Sequence, residues 1–453
     1  MFCQYLYIIL SVAMLLMSAP SALAAGAAGA EELPFAGDVP RMDIATADGA
    51  PVTSRTDYVA AQLTLQGAEM LPCVTDSVLI RGRGNTSWRA YPKKSYRLKL
   101  HHKQRFFGTM ENRHYVLIAN YIDPTLTVNA AALKAARMAG SAFAGHVVPV
   151  ELYLNGEYLG SYLLTEKIRV GKGSVDIDKE SGVLLELDVN YDEPRRFISS
   201  HYYLPVMVHY PDDPAQASPA ATIRQRWDDF EEAVRTGGDL TAHVDTAALV
   251  RYLFVYDLFC NNEVAHPKSI FCSYAAPSGL LTFGPVWDFD WSCGYLGERY
   301  FDLPFLEPFE QGQWFAVTPV SDYVGGASVY NGYPFFDNLM HHPQVLPAYA
   351  RFCYHALSQG FLERLLAYID NYVAFLAPSA EHDAERWQHE QASQQVGPLK
   401  EWLSLRADEL LTRCHDILVA TAIAETPQTA QSSQTHFVTN RIYIRNGKKY
   451  LIK

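Results

Sequence analysis

The sequence predicts an α+β fold in which strands come first and helices dominate the C-terminal part. Between residues 41 and 195, short segments alternate apolar and polar residues and are separated by Gly-rich or Asn-Gly turns, as strands are. Between residues 220 and 425, apolar residues recur mainly at helical spacing. Hydrophobic residues make up 49% of the 453 residues, so the chain can bury a sizeable core.

The N-terminus has the pattern of an export signal. Residues 6–17 form an apolar, uncharged run, and Ala-Leu-Ala follows at residues 22–24, as at a signal-peptide cleavage site. We expect residues 1–24 to be a signal peptide, residues 25–40 a flexible leader, and the protein to be exported to the periplasm, cell surface or medium. The alternative is an uncleaved anchor, because no Lys or Arg precedes the run. We expect no later membrane span.

Net charge and cysteine spacing argue against two kinds of site. The formal net charge of −12 disfavours nucleic-acid binding, because phosphate contacts require a basic face. The seven cysteines include no Cys-x-x-Cys pair, which argues against a zinc site. We expect at most one disulfide, with Cys260 and Cys272 as buried free thiols because they lie in apolar segments.

Local signals predict the order of the elements. An Asn-Gly pair at residues 155–156 supplies the positive φ angles that a tight hairpin turn needs. Asp245 can cap a helix that runs to about residue 262. The predicted strands are residues 76–81, 94–100, 150–154, 158–168, 269–274 and 279–283, and the predicted helices are residues 127–140, 223–236, 245–262 and most of 343–425.

The first candidate site is the Gly-Arg-Gly-Asn turn at residues 82–85 and the strand that follows it. Glycines allow a ligand to approach the backbone, and arginines pair with phosphate oxygens, so Arg83 and Asn85 are candidate ligands. Alternation places Lys94 on the apolar face of the strand and Arg97 on the opposite face. A lysine on an apolar face needs a partner, such as a nucleotide phosphate or a buried carboxylate. The alternative is that Lys94 lies at the strand end and reaches water.

The second candidate site is the polar segment at residues 261–269, where a buried predicted helix ends. It contains Asn262, Glu263, His266 and Lys268. Active-site loops are common at such positions, because a rigid element there holds a loop that carries polar side chains. The alternative is an ordinary polar connection between a helix and a strand.

The third candidate site is the segment at residues 284–291, which places Asp288 and Asp290 among aromatic residues. The two carboxylates would share one face of a strand. Burying such a pair is costly unless it binds a cation, and Mg²⁺ is commonly held by one or two carboxylates together with phosphates. The alternative is a cluster of salt bridges.

The three segments follow the order found in protein kinases. There, a phosphate-facing lysine on a strand precedes a polar catalytic loop, a short hairpin and an acidic metal-binding turn. The match is topological, since the chain has no Gly-x-Gly-x-x-Gly loop and no His-Arg-Asp triplet.

Three stretches of the sequence, residues 81–100, 150–168 and 284–290, also resemble the CotH-like kinase family, in an exported Bacteroidetes-type form. The resemblance implies an atypical protein-kinase-like fold at about residues 41–425, with an N-lobe at about 41–195 and a C-lobe at about 220–425. It implies transfer of phosphate from ATP to protein Ser residues with Mg²⁺, on a protein substrate that the sequence does not identify.

The resemblance also implies roles for single residues. Lys94 would contact the ATP phosphates, and Glu166 would lie near the nucleotide cleft. Asn262 would be a further cofactor-binding residue. Asp288 and Asp290 would hold the Mg²⁺.

The catalytic base departs from the family pattern. Members of the family have an Asp there, and the nearest acid in this sequence is Glu263. Because Glu is one methylene longer, its carboxylate would be displaced unless the backbone compensates. Asn262 and His266 are the alternative polar partners.

The C-terminal residues form a separate segment. Residues 426–438 are rich in Gln, Ser and Thr and predict a linker. Residues 439–453 predict a strand, an Asn-Gly turn and a second strand, similar to the ends of exported Bacteroidetes proteins, including some sorted by type IX secretion. The alternative is a small hairpin that docks on the main domain.

Three functions are therefore compatible with the sequence. The leading hypothesis is an exported Mg²⁺-dependent protein Ser kinase. The second is a non-catalytic surface or periplasmic binding protein on a kinase-like scaffold. A glycoside hydrolase is a weaker third, because Asp288 and Asp290 are only two residues apart and would not flank a sugar bond.

Overall fold

The computed structural model shows an α+β fold, with strands in the N-terminal half and helices towards the C-terminus. This confirms the predicted fold class at that level. The expected signal peptide, most of the expected leader, the expected linker and His266 lie outside the described residues. The structure describes residues 35, 37–66, 73–106, 109, 111–211, 217–265, 267–276, 278–294, 332–389, 392–425, 441–445 and 448–452.

Seven strands form a closed barrel. They are β1 (Arg41–Thr46), β2 (Val59–Gln66), β3 (Val74–Arg83), β4 (Ser95–Gln104), β5 (Asn112–Ile118), β6 (Val148–Leu154) and β7 (Glu157–Glu166). The strand order is β1-β2-β3-β4-β5-β7-β6, and parallel pairing of β1 with β6 closes the ring. Closure leaves no unpaired strand edge, which removes the usual route to edge-to-edge aggregation.

The barrel interior is a packed core, and this fixes what lies outside it. Ile80 on β3 and Leu98 on β4 are buried in that core, as alternation predicts. Their neighbours Arg81 and Arg97 therefore point outward and lie directly opposite each other on the two strands. The polar face of the barrel is thus its outer face.

The predicted hairpin at residues 155–156 is confirmed. Strands β6 and β7 pair antiparallel, and Asn155 and Gly156 have φ angles of 53° and 83°. The Asn155 Oδ1 atom also accepts hydrogen bonds from the Thr46 amide at 2.8 Å and hydroxyl at 2.9 Å. The turn is therefore tied to the end of β1, and β7 ends at Glu166 rather than at residue 168.

A second sheet packs near the barrel. Its strands are β8 (Val183–Leu187), β9 (Arg196–Ile198), β10 (Pro205–Tyr210), β11 (Ile270–Ala275) and β12 (Leu280–Phe283). The order is β12-β11-β8-β10-β9, which confirms the predicted second hairpin as β11 and β12. Strand β8 lies within the expected N-lobe at about residues 41–195, yet it pairs with β11 from the expected C-lobe. Strands β9 and β10 follow the expected N-lobe and were not predicted.

Eight helices lie among the described residues, and β13 (Arg441–Arg445) pairs antiparallel with β14 (Lys448–Ile452) at the chain end. The Asp245 carboxylate accepts from the Ala248 amide at 3.0 Å, which confirms the predicted cap. The capped helix ends at Leu258, earlier than predicted. The helices are α1 (Thr86–Ala90), α2 (Val128–Met138), α3 (Ala217–Thr236), α4 (Thr246–Leu258), α5 (Tyr333–His341), α6 (Leu346–Ser358), α7 (Phe361–Trp387) and α8 (Ala392–Glu425).

Two further sequence predictions concern disulfides and membrane-spanning helices. Cys260 and Cys272 are buried thiols, as predicted, and none of the six cysteines among the described residues forms a disulfide. Over the same residues, none of the helices has the length and apolarity needed to cross a bilayer.

A buried ion pair joins the barrel to helix α7. The Lys93 ammonium lies 2.5 Å from Asp383 Oδ1 and donates to the Ser161 carbonyl at 2.7 Å. The Ser161 amide donates to the same Asp383 oxygen at 2.8 Å. Gly160 has a φ angle of +110°, and a Cβ atom there would overlap Asp383, so the backbone at this contact requires glycine. Both ends of the pair are thereby fixed.

Replacing Lys93 should destabilise the protein strongly. In Lys93→Met, the buried Asp383 carboxylate loses its counter-charge, and we expect the free energy of unfolding to fall by about 3–5 kcal/mol. The control is Lys400→Met, which removes a partly exposed ion pair with Asp370 and should cost about 1 kcal/mol or less. Urea denaturation measures both, and equal losses in the two variants would contradict this account of the contact.

Candidate active site

A large cavity lies between the outer face of the barrel and the second sheet. Its volume is about 590 Å³, within the range of small-molecule sites. All three segments singled out in the sequence contribute to it. The predicted site residues that line it are Arg83, Asn85, Glu263, Asp288 and Asp290.

Lys94 does not line this cavity. Its ammonium donates to the carbonyl oxygens of Trp88, at 2.6 Å, and of Tyr91. The physical reason is the barrel: Lys94 precedes β4 on the side of Tyr96, which faces the packed interior, whereas the cavity lies on the side of Arg97. The expected position of Lys94 is therefore corrected: the cavity is lined by side chains on the opposite face of β4, such as Arg97.

Glu166 and Asn262 also lie outside the cavity lining. The Glu166 carboxylate accepts from the amide and from Nδ1 of His146, each at 2.8 Å. Burial raises the pKa of Glu166, but the hydrogen bonds and charge of His146 outweigh it and hold the pKa below its usual value. Asn262 begins a short 3-10 helix, and its amide donates to the Trp291 carbonyl at 2.8 Å. Both residues hold neighbouring segments in place.

The acidic turn is fixed through Asp288. This residue has a φ angle of +60°, a left-handed conformation that Asp tolerates better than most residues. Its carbonyl accepts from Asn261 Nδ2 at 3.1 Å, and its Oδ2 atom accepts from the Ser269 hydroxyl at 3.2 Å. The two ends of the polar segment at residues 261–269 therefore hold the turn, which explains why these separate segments meet.

Asp290 is held by Asn129, a residue that was not among the candidates chosen from the sequence. The Asn129 Nδ2 group donates to Asp290 Oδ1 and to Asn120 Oδ1, the latter at 3.0 Å. Its Oδ1 atom accepts from the Phe289 amide at 2.9 Å. The only signal was a polar residue inside the buried, Ala-rich helix α2, and its partner lies about 160 positions away in the chain.

Asp123 in turn places helix α2. Its carboxylate accepts from the amides of Thr125, Thr127 and Val128 at 2.7–2.8 Å, which satisfies the free amides at the helix start. Burial raises the pKa of Asp123 despite these hydrogen bonds. Asp123 therefore fixes the start of α2 and, with it, the position of Asn129 beside Asp290.

The electrostatics of Asp290 fit a cation. Burial, then the neighbouring Asp288 and Asp123 carboxylates, raise the pKa of Asp290 to about 7, against the hydrogen bond of Asn129 and the charge of Arg83. A divalent cation at Asp288 and Asp290 would relieve this repulsion. Within the described residues, no group of three or more His, Cys, Asp or Glu is arranged as a metal site. Two carboxylates suit Mg²⁺, which takes its remaining ligands from phosphates and water.

Glu263 faces the cavity with one carboxylate oxygen unused. Its Oε1 atom lies 3.8 Å from the Lys268 ammonium, whereas its buried Oε2 atom has no hydrogen-bond partner in the part of the chain that the structure describes. Burial raises the pKa of Glu263 well above its usual value, and Lys268 opposes this while Asp288 raises it further. The charge of Glu263 raises the pKa of Lys268 in return.

Asp188 is a further carboxylate that sequence reasoning missed. It follows β8 and accepts from the amide and the side chain of Asn190, both at 2.7 Å. Burial, then the charge of Glu186, raise its pKa to about 7. An acidic residue at the end of an apolar strand was the available signal, and the pairing of β8 with β11 is what brings it to the cavity.

The fold and the cavity together define an α+β protein whose cavity is lined by both carboxylates and cations. The chain belongs to the CotH kinase family: the profile described as "CotH kinase protein" matches residues 80–410, from β3 to α8. No curated protein matches the chain significantly. Membership confirms the family resemblance seen in the sequence and indicates a kinase-like protein.

The raised pKa of Asp290 has a measurable consequence. Because the folded protein holds a proton on Asp290 up to about pH 7, while the unfolded chain loses it near the ordinary value, stability falls as pH rises through this window. Asp290→Asn cannot ionise, so we expect it to be more stable than the parent at pH 8 and to lose this advantage near pH 4. Thermal unfolding at both pH values checks this.

The matched control for that comparison is Asp408→Asn, at an exposed position of α8. The difference in melting temperature between this variant and the parent should be the same at pH 4 and pH 8. A pH-independent difference for Asp290→Asn as well would show that its carboxylate does not carry the proposed strain.

Proposed function

We propose that the protein is an exported, Mg²⁺-dependent kinase that transfers phosphate from ATP to protein Ser residues. The observation that carries the proposal is that Asp288, Asp290 and Glu263 share one cavity with Arg83. Family membership supports a kinase-like protein that uses ATP, a divalent metal and a protein substrate. A cavity between the N-terminal barrel and a sheet that includes two strands of the C-terminal half is compatible with the atypical protein-kinase-like fold that we propose.

We assign the binding of the ATP phosphates to Arg83. Burial lowers the pKa of Arg83, and the charges of Asp288 and Asp290 partly offset this. Its guanidinium lies 5.4 Å from the Trp287 ring, in the segment that leads to the acidic turn. A phosphate group beside Arg83 and a cation at the two aspartates would balance these charges. Asn85 also lines the cavity. Lys94 would have to break its two hydrogen bonds to reach a phosphate there.

Glu263 is the candidate general base. In the proposed reaction, the Ser hydroxyl oxygen forms a bond to the γ-phosphorus, its proton passes to Glu263 Oε2, and the bond to the β-phosphate oxygen breaks to release ADP. Bound Mg²⁺ would neutralise charge on the phosphates. Lys268, at 3.8 Å, favours the ionised form of Glu263 that the step requires.

One observation favours the alternative of a non-catalytic binding protein. Burial raises the pKa of Glu263 well above its usual value, which favours the protonated form of its carboxyl group when no ligand is bound. A protonated carboxyl group cannot accept the Ser proton. A binding protein would keep the cavity and its charges but would transfer no phosphate.

Binding and transfer of ATP test the proposal directly. We expect ATP with Mg²⁺ to raise the melting temperature of the parent by a few degrees, and labelled ATP to transfer phosphate to the protein or to an added Ser-rich protein. Asp290→Ala should abolish both effects, while Asp408→Ala should keep them. Stabilisation without transfer would favour the binding protein, and transfer by Asp290→Ala at the parent rate would refute the assignment.

Two substitutions at Glu263 separate catalysis from binding. Glu263→Gln keeps the shape but cannot take a proton, so we expect phosphate transfer to fall roughly 10²–10⁴-fold while stabilisation by ATP is retained. Glu263→Asp keeps an acid at this position, and we expect it to retain measurable transfer. Steady-state rates with labelled ATP give the comparison, and unimpaired transfer by Glu263→Gln would rule out Glu263 as the base.

A further inference from the structure

Three of the cations that line the cavity come from the outer side of the barrel. We call Arg81, Arg97 and Lys167 the cation wall. Arg81 and Arg97 are directly opposite each other on the antiparallel strands β3 and β4. Like charges in this arrangement destabilise a sheet, so the protein retains an unfavourable pair at the cavity surface.

The cation wall is poorly compensated within the protein. The buried Nε atoms of Arg81 and Arg97 have no hydrogen-bond partner among the described residues, and Arg81 Nη1 donates to the uncharged carbonyl of Arg55. Burial, then the charges of Arg97 and Arg81, lower the pKa of Lys167 to about 8. An anion placed against the three side chains would supply the missing partner.

The nearest carboxylates are already engaged. Glu186 contacts Nε2 of His209, and Glu193 lies 3.3 Å from Nδ1 of the same ring. Burial lowers the pKa of His209, but the charge and hydrogen bond of Glu186, together with Glu193, raise it to about 10. The imidazolium therefore takes up charge that would otherwise offset the cation wall.

The cation wall adjoins Arg83, which lies two residues after Arg81 on the same face of β3, but different carboxylates act most strongly on Arg83 and on Lys167. Asp288 and Asp290 are the charges that act most strongly on Arg83. The carboxylates that act on Lys167 are instead Glu193 and Glu186. The cavity thus has Arg83 and Lys268 beside the carboxylates of the proposed metal and phosphate end, and a further cationic cluster towards His209.

We propose that the cation wall binds a second anionic group, a phosphate or carboxylate, at the same time as the nucleotide occupies the acidic turn. Given the proposed kinase function, this group belongs to the acceptor, so the enzyme selects segments that carry an acidic or already phosphorylated residue near the acceptor Ser. The same chemistry would also accept free phosphate, and the two sources are distinguishable by experiment.

Calorimetric titration of the full chain with inorganic phosphate tests the site without ATP or Mg²⁺. We expect binding that weakens about tenfold or more in Lys167→Met, as for loss of one charge-assisted contact. Lys167→Arg should retain binding, and Lys172→Met, at an exposed position five residues further on, should match the parent. Lys167→Met should fold normally, since it relieves repulsion, and circular dichroism checks this.

The same titration with saturating ATP and Mg²⁺ decides whether the site is a second one. Undiminished phosphate affinity supports the proposal, whereas strict competition would show that the cation wall binds the nucleotide's own phosphates and would overturn it. Absence of phosphate binding, or equal binding by Lys167→Met, would also overturn it. If ATP fails to bind but phosphate binding still depends on Lys167, the kinase proposal fails and the anion site stands.

A pair of peptides distinguishes the two sources of the anion. One is a Ser peptide that contains a phosphoserine, and the other is its unphosphorylated copy. Tighter binding of the phosphorylated peptide, lost in Lys167→Met, supports recognition of the acceptor. Equal binding of the two peptides, with phosphate still bound, supports a site for free phosphate.

Discussion

Closure of the N-terminal sheet into a barrel constrains every other part of the site. The interior must be filled by alternating apolar side chains such as Ile80 and Leu98, so no ligand can enter there. Charged side chains of the same strands, among them Arg81, Arg83 and Arg97, are forced onto the outer face. A second sheet near that face then encloses them, and the cavity that results combines cations from the barrel with carboxylates from outside it.

The carboxylates face each other because several contacts offset the cost of burying them. Asn129 binds Asp290, Ser269 binds Asp288, and Asp123 anchors the helix that carries Asn129. Burial, and then the repulsion of the neighbouring carboxylates, raise the pKa of Asp290 and of Glu263. Such buried charge weakens the folded state, and groups with shifted pKa values of this kind are common at functional sites.

The local sequence predicted the hairpins and the candidate acidic residues, but it did not predict the contacts between distant segments. Strand alternation and the turn signals located both hairpins, and the cost of burying charge pointed to Asp288 and Asp290. Which face of a strand meets the cavity depends on barrel closure, a long-range property, and so Lys94 was assigned to the wrong side. Asn129 was missed for a related reason, since its value comes from a contact with a distant segment.

The most direct test of the account is a crystal structure with a non-hydrolysable ATP analogue and Mn²⁺ in place of Mg²⁺. The account predicts an anomalous Mn²⁺ peak in contact with the carboxylates of Asp288 and Asp290, with the phosphates of the analogue directed towards Arg83. An analogue bound outside the cavity, or Mn²⁺ held away from both aspartates, would contradict it.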